Sequence, residues 1–314
     1  AAIDAIKGKK NVNIFVLHPD NRVSPVQRKL MTTGKDENVF NIAIKGNFDD
    51  CQNLVKSMFA DKKFSNDIKM SGVNSINWAR IIAQSVYYFY SYLSVEDASE
   101  PTNFSVPTGN FGDVYAGYLA KKMGLPIDKL IVATNQNDIL HRAISKGSYE
   151  AEKVSETISP SMDIQIASNF ERLIFDLNNG DDQQTSLDMK NIKEKGQYLI
   201  NDDKLNKISE NFLSARMSED ETLEVIKNVY EKFAVVLDPH TAIGYGAFDK
   251  HNLKGNNIVL ATAHPCKFPG AIQSAINVKA ELPNELTFVL DQKENYDIVE
   301  NDIEKVKQHI KDRT

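Results

Sequence analysis

The chain has 314 residues, which is enough for about two domains of ordinary size. Its 41% hydrophobic and 25% charged residues are typical of a globular protein and exclude a disordered chain, a collagen and a coiled-coil rod. The net charge of −6 argues against a general nucleic-acid binder, since such proteins carry clustered cations. No apolar run approaches the roughly 20 residues that cross a bilayer. The two cysteines are too few for a disulfide framework and indicate a cytoplasmic protein.

The first part of the chain alternates predicted helices and strands. Residues 1–7 have the pattern of a helix body that ends at a glycine C-cap. Because no N-cap residue or initiator Met precedes this helix, we expect a truncated N-terminus; a genuine N-terminus after processing is the alternative. Residues 13–17 and 39–44 are apolar runs typical of buried strands, and residues 49–59 have helical spacing. Residues 75–93 are the longest periodic segment, and their dense apolar positions predict a helix buried between layers.

The second part repeats this alternation. Strands are predicted at residues 104–106, 130–133, 235–237 and 258–261, and helices at 114–123, 138–145, from about 241, and at 271–276. The polar stretch 178–184 is expected to be a surface loop, and residues 302–313 a charged helix with a solvated face. Strands with near-continuous apolar runs that alternate with helices predict an α/β fold, in which a parallel sheet is covered by helices on both faces.

The most specific local pattern lies between a predicted strand and a predicted helix. Here two glycines let the backbone turn tightly and approach a ligand without an intervening Cβ. The helix that follows directs its unpaired N–H groups and the positive end of its dipole at the turn, which makes an anion site whose usual ligand is phosphate. The alternative is an ordinary turn in which an aspartate caps the helix. The candidate residues are Gly109, Asn110, Phe111, Gly112 and Asp113.

Two other strand ends carry groups that could face a ligand crevice. Thr262 could deliver a hydroxyl that hydrogen-bonds a neutral heteroaromatic nitrogen, and His264 could act as an acid–base group. For each of them, a hydrogen bond to the local backbone is the more ordinary interpretation. Asp238 and Thr241 resemble helix-cap residues, and His240 between them is expected to have a structural role.

Two polar segments are candidates for binding an anionic substrate. Asn77 and Arg80 share a face of an otherwise apolar predicted helix, where burial is costly unless such groups are paired, so they could hold a carboxylate or a phosphate. Arg22 and Ser24 follow the first strand and could do the same. An interdomain hydrogen-bond network and a solvated turn are the respective alternatives. The scattered histidines and distant cysteines predict no metal site.

Taken together, these segments resemble one family. The chain is similar to the threonine synthases of bacteria and fungi, which are pyridoxal-phosphate enzymes of fold type II. The motifs that carry the match run in order across nearly the whole chain, at residues 8–10, 21–27, 31–33, 74–80, 108–113, 135–140, 159–164, 168–172, 238–242 and 262–265. Each motif is weak alone, but their joint order is highly specific. The resemblance implies an α/β fold with parallel-rich sheets covered by helices.

The resemblance also implies a cofactor and a reaction. The glycine turn would hold the phosphate of pyridoxal 5′-phosphate, and Thr262 would be the hydroxyl partner of its pyridine nitrogen. The implied reaction converts O-phospho-L-homoserine and water to L-threonine and phosphate in amino-acid biosynthesis, with the cofactor as electron sink. Arg22, Ser24, Asn77 and Arg80 are hypotheses for the groups that bind the substrate.

One departure from the family limits this expectation. The family's Schiff-base lysine lies in a segment upstream of the first helix found here, so we expect the chain to lack it; Lys7, Lys9 and Lys10 resemble an ordinary basic helix end. Residues 1–93 would then be the remainder of an incomplete small domain and residues 94–314 the large domain. The chain alone would be inactive, since no amine is positioned to react with the substrate on the cofactor.

Two alternatives stay open at this point. A lysine-free relative could bind the cofactor without catalysis, and another fold-type-II enzyme could act on a different leaving group. The expected partner in either case is a small molecule, and neither a nucleic acid nor a membrane is expected. The sequence predicts neither the oligomeric state nor any allosteric control.

Overall fold

A computed structural model of the chain describes residues 2–23, 25–74 and 77–314. Its α-helices are α1 (Ala2–Ile6), α2 (Pro25–Thr32), α3 (Phe48–Ala60), α4 (Lys62–Asp67), α5 (Trp78–Tyr92), α6 (Gly112–Lys122), α7 (Ile139–Lys146), α8 (Phe170–Leu177), α9 (Asp182–Lys195), α10 (Asp202–Asn211), α11 (Glu219–Phe233), α12 (Pro239–Asp249), α13 (Pro269–Ile276) and α14 (Ile303–Lys311). Its strands are β1 (Ile14–Pro19), β2 (Val39–Lys45), β3 (Thr102–Pro107), β4 (Ile127–Thr134), β5 (Ser148–Glu150), β6 (Gln197–Leu199), β7 (Phe212–Arg216), β8 (Asn256–Val259) and β9 (Asp297–Glu300). Short 3-10 helices cover Pro160–Met162, Pro265–Lys267 and Asn284–Leu290.

The chain divides into two compact units. The first contains the residues up to Val73 together with Glu281–Thr314, and the second contains Asn74–Ala280. This division differs in two places from the predicted boundary between a small and a large domain. Helix α5 belongs to the second unit because its buried Tyr88 packs against Phe104 of β3, with ring centroids 4.9 Å apart. The last segment returns to the first unit because β9 pairs with β2.

The first unit is built on a parallel sheet. Within the described residues its strand order is β1-β2-β9, so β2 is central. Ile42 and Ile44 of β2 are fully buried, and they form a core with Met58 of α3. Val306 and Ile310 of α14 complete the same core. The C-terminal helix α14 therefore has a buried side in addition to the solvated face that the sequence predicts.

The second unit contains a longer parallel sheet, with the order β7-β4-β3-β8 in the part of the chain that the structure describes. Its central strands are deeply buried: Phe104 and Val106 of β3, and Leu130 and Val132 of β4, have no exposed surface. All four strands run in the same direction, so their carboxyl ends meet at one edge, where open α/β sheets bind their ligands. The predicted α/β class with parallel sheets and helices is confirmed.

One predicted strand of the second unit is wrong, and three of its strands, β5, β6 and β7, were not predicted. Residues 235–237 pair with no strand in the described structure, because they only connect Ala234, the left-handed C-cap of α11, to Asp238, the N-cap of α12. The neighbour of β4 is instead β7, whose sequence Phe-Leu-Ser-Ala-Arg has too little apolar alternation to indicate a strand.

Helix α5 is less buried than its composition predicts. Ile81 and Tyr88 are fully buried, but Val86 and Tyr90 on the opposite side are 60% and 74% exposed in the described structure. Residues 75–76, which the sequence assigns to the same helix, lie outside the described residues. Apolar density alone therefore did not predict which face of the helix is covered.

The contribution of α14 to the first core can be measured. We expect Ile310→Ala to lower the free energy of unfolding by about 2–5 kcal/mol, because it removes a buried side chain and leaves a cavity beside β2. Urea denaturation followed by circular dichroism measures this loss. The control Lys305→Ala changes an exposed residue of the same helix and should stay within about 0.5 kcal/mol of the wild type. Equal stability of both variants would contradict a core role for α14.

Candidate functional site

The glycine turn lies between the end of β3 and the start of α6. Thr108 donates its backbone N–H to the carbonyl oxygen of Ala133 on β4 at 2.8 Å, which fixes the end of the strand. Phe111 then takes a left-handed conformation with φ 66°, which is rare for a bulky residue. Its ring is fully buried and contacts the ring of Phe170 edge-on, with centroids 5.2 Å apart. This packing stabilises the strained conformation and thereby fixes the shape of the turn.

The N-terminus of α6 opens onto this turn. Its N-cap is Phe111, and no side chain in the described residues accepts a hydrogen bond at this cap. The first backbone N–H groups of a helix have no acceptor within the helix. The N–H groups of Gly112, Asp113 and Val114 can therefore donate to a ligand. The helix dipole adds partial positive charge at the same point. This arrangement is the one that binds phosphate at the start of helices.

Close packing requires the glycine at position 109. A Cβ on Gly109 would lie 2.7 Å from the carbonyl oxygen of Ser161 and 3.3 Å from the Cα of Met162. Both atoms belong to the backbone of the 3-10 helix that follows β5, so a side chain would push this segment away from the turn. Gly109 does not have a positive φ. The need for space, not for a special backbone conformation, therefore excludes larger residues here.

A buried polar network holds the segment that contacts Gly109. The side-chain amide of Asn135 donates to Oδ1 of Asp163 at 2.7 Å, and that of Asn137 donates to the same oxygen at 3.0 Å. The hydroxyl of Thr157 also donates to it at 2.6 Å. Because Asn135 and Asn137 follow β4 directly, these bonds fix the loop that carries Ser161 to the carboxyl end of the sheet.

Asp113, in the first turn of α6, is bonded to a tyrosine of α5. The buried hydroxyl of Tyr88 donates to the carbonyl oxygen of Asp113 at 2.8 Å and lies 3.2 Å from its Oδ1. Gly117 makes room for the tyrosine ring, since a Cβ there would lie 2.4 Å from it. Burial raises the pKa of the Asp113 carboxyl to about 6, and the hydrogen bond from Tyr88 opposes part of this rise.

Thr262 and His264 follow β8 and differ in their contacts. The backbone N–H of Thr262 donates to the hydroxyl of Thr241 at 3.2 Å. Thr262 itself is exposed, and its hydroxyl bonds to no other described residue. The Nδ1 of His264 instead accepts from the backbone N–H of Cys266 at 3.2 Å. This is the hydrogen bond to the local backbone that the more ordinary interpretation of His264 predicts. The hydroxyl of Thr262 thus remains available to a ligand, whereas His264 caps a short helix.

The start of α12 forms a buried cluster in the same unit. Asp238 caps the helix, as the sequence predicts, by accepting from the backbone N–H of His240 at 2.9 Å. The same carboxylate also accepts from Nδ1 of His240 at 2.9 Å and from the hydroxyl of Thr241. The other ring nitrogen of His240, Nε2, accepts from the backbone N–H of Ser161 at 3.3 Å. These contacts agree with the structural role expected for His240.

The four candidate substrate ligands are divided between the units. Arg22 is exposed in the turn after β1 in the first unit, and Ser24 lies outside the described residues. In the second unit, Asn77 is the N-cap of α5, and its side-chain oxygen accepts from the backbone N–H of Ala79 at 2.9 Å. Arg80 is exposed in the first turn of the helix. Because α5 begins only after Asn77, Asn77 caps the helix and Arg80 lies in its first turn, so only Arg80 is within the helix on whose face the sequence places both residues.

Comparison with known proteins supplies relatives for almost the whole chain. The model of the family "Threonine synthase, C-terminal" matches residues 241–310. The threonine synthase of Pseudomonas aeruginosa is 45% identical over 313 residues, which cover 99% of this chain and 67% of that protein. That of Saccharomyces cerevisiae is 43% identical and covers 99% and 66%. The solved structure of pyridoxal-phosphate-bound threonine synthase from Brucella melitensis matches with a TM-score of 0.94 and 46% identity over 99% of this chain and 68% of that one.

The chain belongs to the threonine synthase family. The resemblance inferred from the ordered motifs is thus confirmed, and so is the α/β fold of the type-II pyridoxal-phosphate enzymes. The chain spans about two thirds of the length of these threonine synthases. No helix in the described residues is long and apolar enough to cross a membrane. Nor do the described residues contain a group of three or more His, Cys, Asp or Glu that could hold a metal ion.

Sequence reasoning missed some of the contacts that shape the glycine turn. Tyr88 lies 25 residues from Asp113, and Ser161 lies 79 residues from His240. No local pattern reports contacts between segments so far apart. The segments 135–140 and 159–164 did belong to the motifs that carry the family match, and this was the one available signal that their polar residues have a role.

A substitution at Gly109 tests the close approach of the two backbones. We expect Gly109→Ala to lower the free energy of unfolding by about 1–3 kcal/mol, because backbone atoms of Ser161 and Met162 must move to admit the new Cβ. Chemical denaturation measures this change. Gly270→Ala is the matched control, since a Cβ there meets nothing within 4 Å, and it should change stability by less than about 1 kcal/mol. A Gly109→Ala protein as stable as this control would refute the packing argument.

The raised pKa of Asp113 predicts a pH dependence. A carboxyl whose pKa rises on folding, here from 3.8 to about 6, binds its proton more tightly in the folded state, so its contribution to stability falls as the pH rises through that window. Asp113→Asn keeps the shape but cannot ionise. We expect this variant to gain up to about 2–3 kcal/mol over the wild type above pH 6, and the gain to vanish toward pH 4. Urea denaturation across this range checks the slope; a gain independent of pH would show that ionisation is not its cause.

Proposed function

We propose that the chain forms the cofactor site of a threonine synthase, which converts O-phospho-L-homoserine and water to L-threonine and phosphate. The observation that carries this proposal is the uncapped N-terminus of α6 at the glycine turn. It occurs in a chain whose relatives, over 99% of its length, include threonine synthases at 43–45% identity. The related protein from Brucella melitensis was solved with pyridoxal phosphate bound, so the phosphate of this cofactor is the anion that we assign to the turn.

The backbone of the turn supplies the phosphate ligands in this proposal. The N–H groups at the start of α6 donate to the phosphate oxygens, and the absence of a Cβ at Gly109 lets the backbone of Ser161 and Met162 pack against the turn. Asn110 holds the turn in place, because its carbonyl oxygen accepts from the backbone N–H of Asn169 at 3.1 Å. Neutral donors with a helix dipole suit a phosphate dianion, since charge-assisted hydrogen bonds are about twice as strong as neutral ones.

Thr262 is the proposed partner of the pyridine nitrogen. Bound pyridoxal phosphate would supply an electron sink for the proton shifts at the substrate carbons. A hydroxyl can donate one hydrogen bond to a ring nitrogen without placing a full charge next to it. The backbone contact of Thr262 with Thr241 holds the residue in position while its side chain stays exposed.

The substrate carries a phosphate and a carboxylate, and we propose Arg22, Ser24, Asn77 and Arg80 as the groups that bind them. Arg22 and Arg80 suit either group, because a guanidinium binds both anions with paired hydrogen bonds. Ser24 and Asn77 are the proposed neutral donors. Arg80 and Tyr88 belong to the same helix, α5, and Tyr88 holds the glycine turn through Asp113. One rigid element therefore joins a proposed substrate residue to the proposed cofactor turn.

We further propose that these 314 residues alone bind the cofactor but do not complete the reaction. Neither the glycine turn nor the segment 260–264 contains a lysine. Lys7, Lys9 and Lys10 are exposed around the end of α1 in the first unit. The alternative is a lysine-free binding protein of the same family. It would bind the cofactor in the same way, but it would not convert the substrate even as part of a longer chain.

Ligand titration tests the proposed function. Pyridoxamine 5′-phosphate carries the phosphate but no aldehyde, so it can bind without a lysine. We expect the chain to bind it at least about 100-fold more tightly than pyridoxamine, because two or more charge-assisted hydrogen bonds contribute about 1.5–3 kcal/mol each. Isothermal titration calorimetry measures both affinities. Equal affinities would overturn the phosphate site, and phosphate release from O-phospho-L-homoserine by the 314-residue chain with pyridoxal phosphate would overturn the proposed inactivity.

The role of Thr262 is tested by an isosteric change. Thr262→Val replaces the hydroxyl by a methyl group, and we expect the affinity for pyridoxamine 5′-phosphate to fall about 5–10-fold, because one hydrogen bond to the pyridine nitrogen is lost. The control Thr287→Val alters another exposed threonine, in the first unit, and should leave binding unchanged. If both variants bind as the wild type does, Thr262 is not a cofactor ligand.

A further inference from the structure

We propose that Asp238 is a positioning residue that holds both sides of the cofactor site through one buried hydrogen-bond chain. This inference rests on the proposed function, because it concerns the glycine turn and Thr262, the two ends of the assigned cofactor site. A helix cap needs only the acceptance of backbone N–H groups. The carboxylate of Asp238 is 1% exposed and makes side-chain contacts beyond those of a cap.

The first arm of the chain leads to the glycine turn. Oδ1 of Asp238 accepts from Nδ1 of His240 at 2.9 Å, and Nε2 of His240 lies 3.3 Å from the backbone nitrogen of Ser161. A backbone N–H can only donate, so Nε2 must be unprotonated and the single ring proton lies on Nδ1. The carbonyl oxygen of Ser161 faces Gly109, where a Cβ would come within 2.7 Å. Asp238 thus sets the histidine tautomer that fixes the backbone behind the turn.

The second arm leads to the pyridine side. Oδ2 of Asp238 accepts from the hydroxyl of Thr241, whose oxygen in turn accepts from the backbone N–H of Thr262 at 3.2 Å. The threonine hydroxyl has one proton, and Asp238 accepts it, so the lone pairs of the oxygen are left to receive the N–H of Thr262. Asp238 therefore sets the direction of the hydrogen bonds in both arms.

Because these residues are buried, the two arms depend on Asp238 presenting only acceptors and no N–H or O–H proton. His240 and Thr241 are 4% and 5% exposed, so water cannot replace a lost partner at low cost. An amide at position 238 would present an N–H to one of the two arms. If that N–H faces His240, it forces the ring proton onto Nε2, which then points at the backbone N–H of Ser161, so two donors face each other. If it faces Thr241, it meets the hydroxyl proton of that residue.

The matched pair for the test is Asp238→Asn and Asp188→Asn. Asp188 is also a buried carboxylate of the second unit, and it accepts from Asn178 at 3.0 Å and from Gln184 at 2.8 Å. We expect Asp238→Asn to weaken the binding of pyridoxamine 5′-phosphate about 10–100-fold, the scale of loss seen when residues that orient metal ligands are replaced. Asp188→Asn should bind within about 3-fold of the wild type, even if it is less stable.

Hydrogen exchange followed by mass spectrometry resolves the two arms without any ligand. His240→Asn cannot reach Ser161 and should speed exchange in segment 159–163 only, while Thr241→Val should speed it in segment 260–264 only. Thr241→Ser keeps the hydroxyl and should restore wild-type exchange and binding. These single-arm variants keep the proposal testable if Asp238→Asn does not fold.

The outcomes separate this inference from the proposed function. Failure of the wild-type chain to bind pyridoxamine 5′-phosphate would overturn the proposed function. Binding that Asp238→Asn leaves unchanged would overturn only the positioning role. Exchange that rises equally in both segments for each single-arm variant would also overturn it, because the residues would then act on general stability and not along two arms.

Discussion

The feature on which the rest of the second unit depends is a helix whose N-terminus is capped by no side chain in the part of the chain that the structure describes. An uncapped helix end costs free energy, and helices usually avoid this cost with a polar N-cap residue. Helix α6 has Phe111 there instead, in a strained left-handed conformation that a fully buried ring stabilises. Core packing thus maintains an end that is free to bind an anion. The surrounding contacts of Gly109, Tyr88 and the loop after β5 preserve the space and the shape of that end.

The carboxylates near the proposed cofactor site share a physical logic. Asp113 lies in the first turn of α6, but its carboxyl is held by Tyr88 and its pKa is raised to about 6, so its negative charge is costly there. Asp238 is separated from the two ends of the site by His240 on one side and by Thr241 on the other. The groups left to meet a ligand are neutral: backbone amides at one end and a hydroxyl at the other. A neutral lining does not repel a phosphate dianion, and a hydroxyl donor leaves a pyridine nitrogen uncharged.

The elements that could be predicted from the sequence are those whose signal is local. The glycine turn after β3, the cap at Asp238, and the α/β alternation follow from the spacing of small, polar and apolar residues. Thr241, which the sequence also suggested as a cap, lies instead in the first turn of α12. Strand β7 was missed because its partner, β4, lies about eighty residues earlier and supplies the burial that its own sequence does not indicate. The tyrosine behind Asp113 was missed for the same reason. Family resemblance compensated in part, since the order of weak motifs carries long-range information that no single motif contains.

Helix α5 shows what such local information leaves open. Its sequence is apolar on nearly every side, and periodicity alone predicted burial between layers, yet only the side with Ile81 and Tyr88 is covered in the described structure. The covered side has a specific geometric partner: the tyrosine ring fits where Gly117 has no Cβ, and the hydroxyl reaches the first turn of α6. The hydrophobicity of α5 therefore indicates that its surfaces can be buried. Which side is buried depends on where the ring of Tyr88 fits against Gly117. The same match connects the start of α5, with Asn77 and Arg80, to the turn proposed to bind phosphate, so the packing that orders the fold also orders the site.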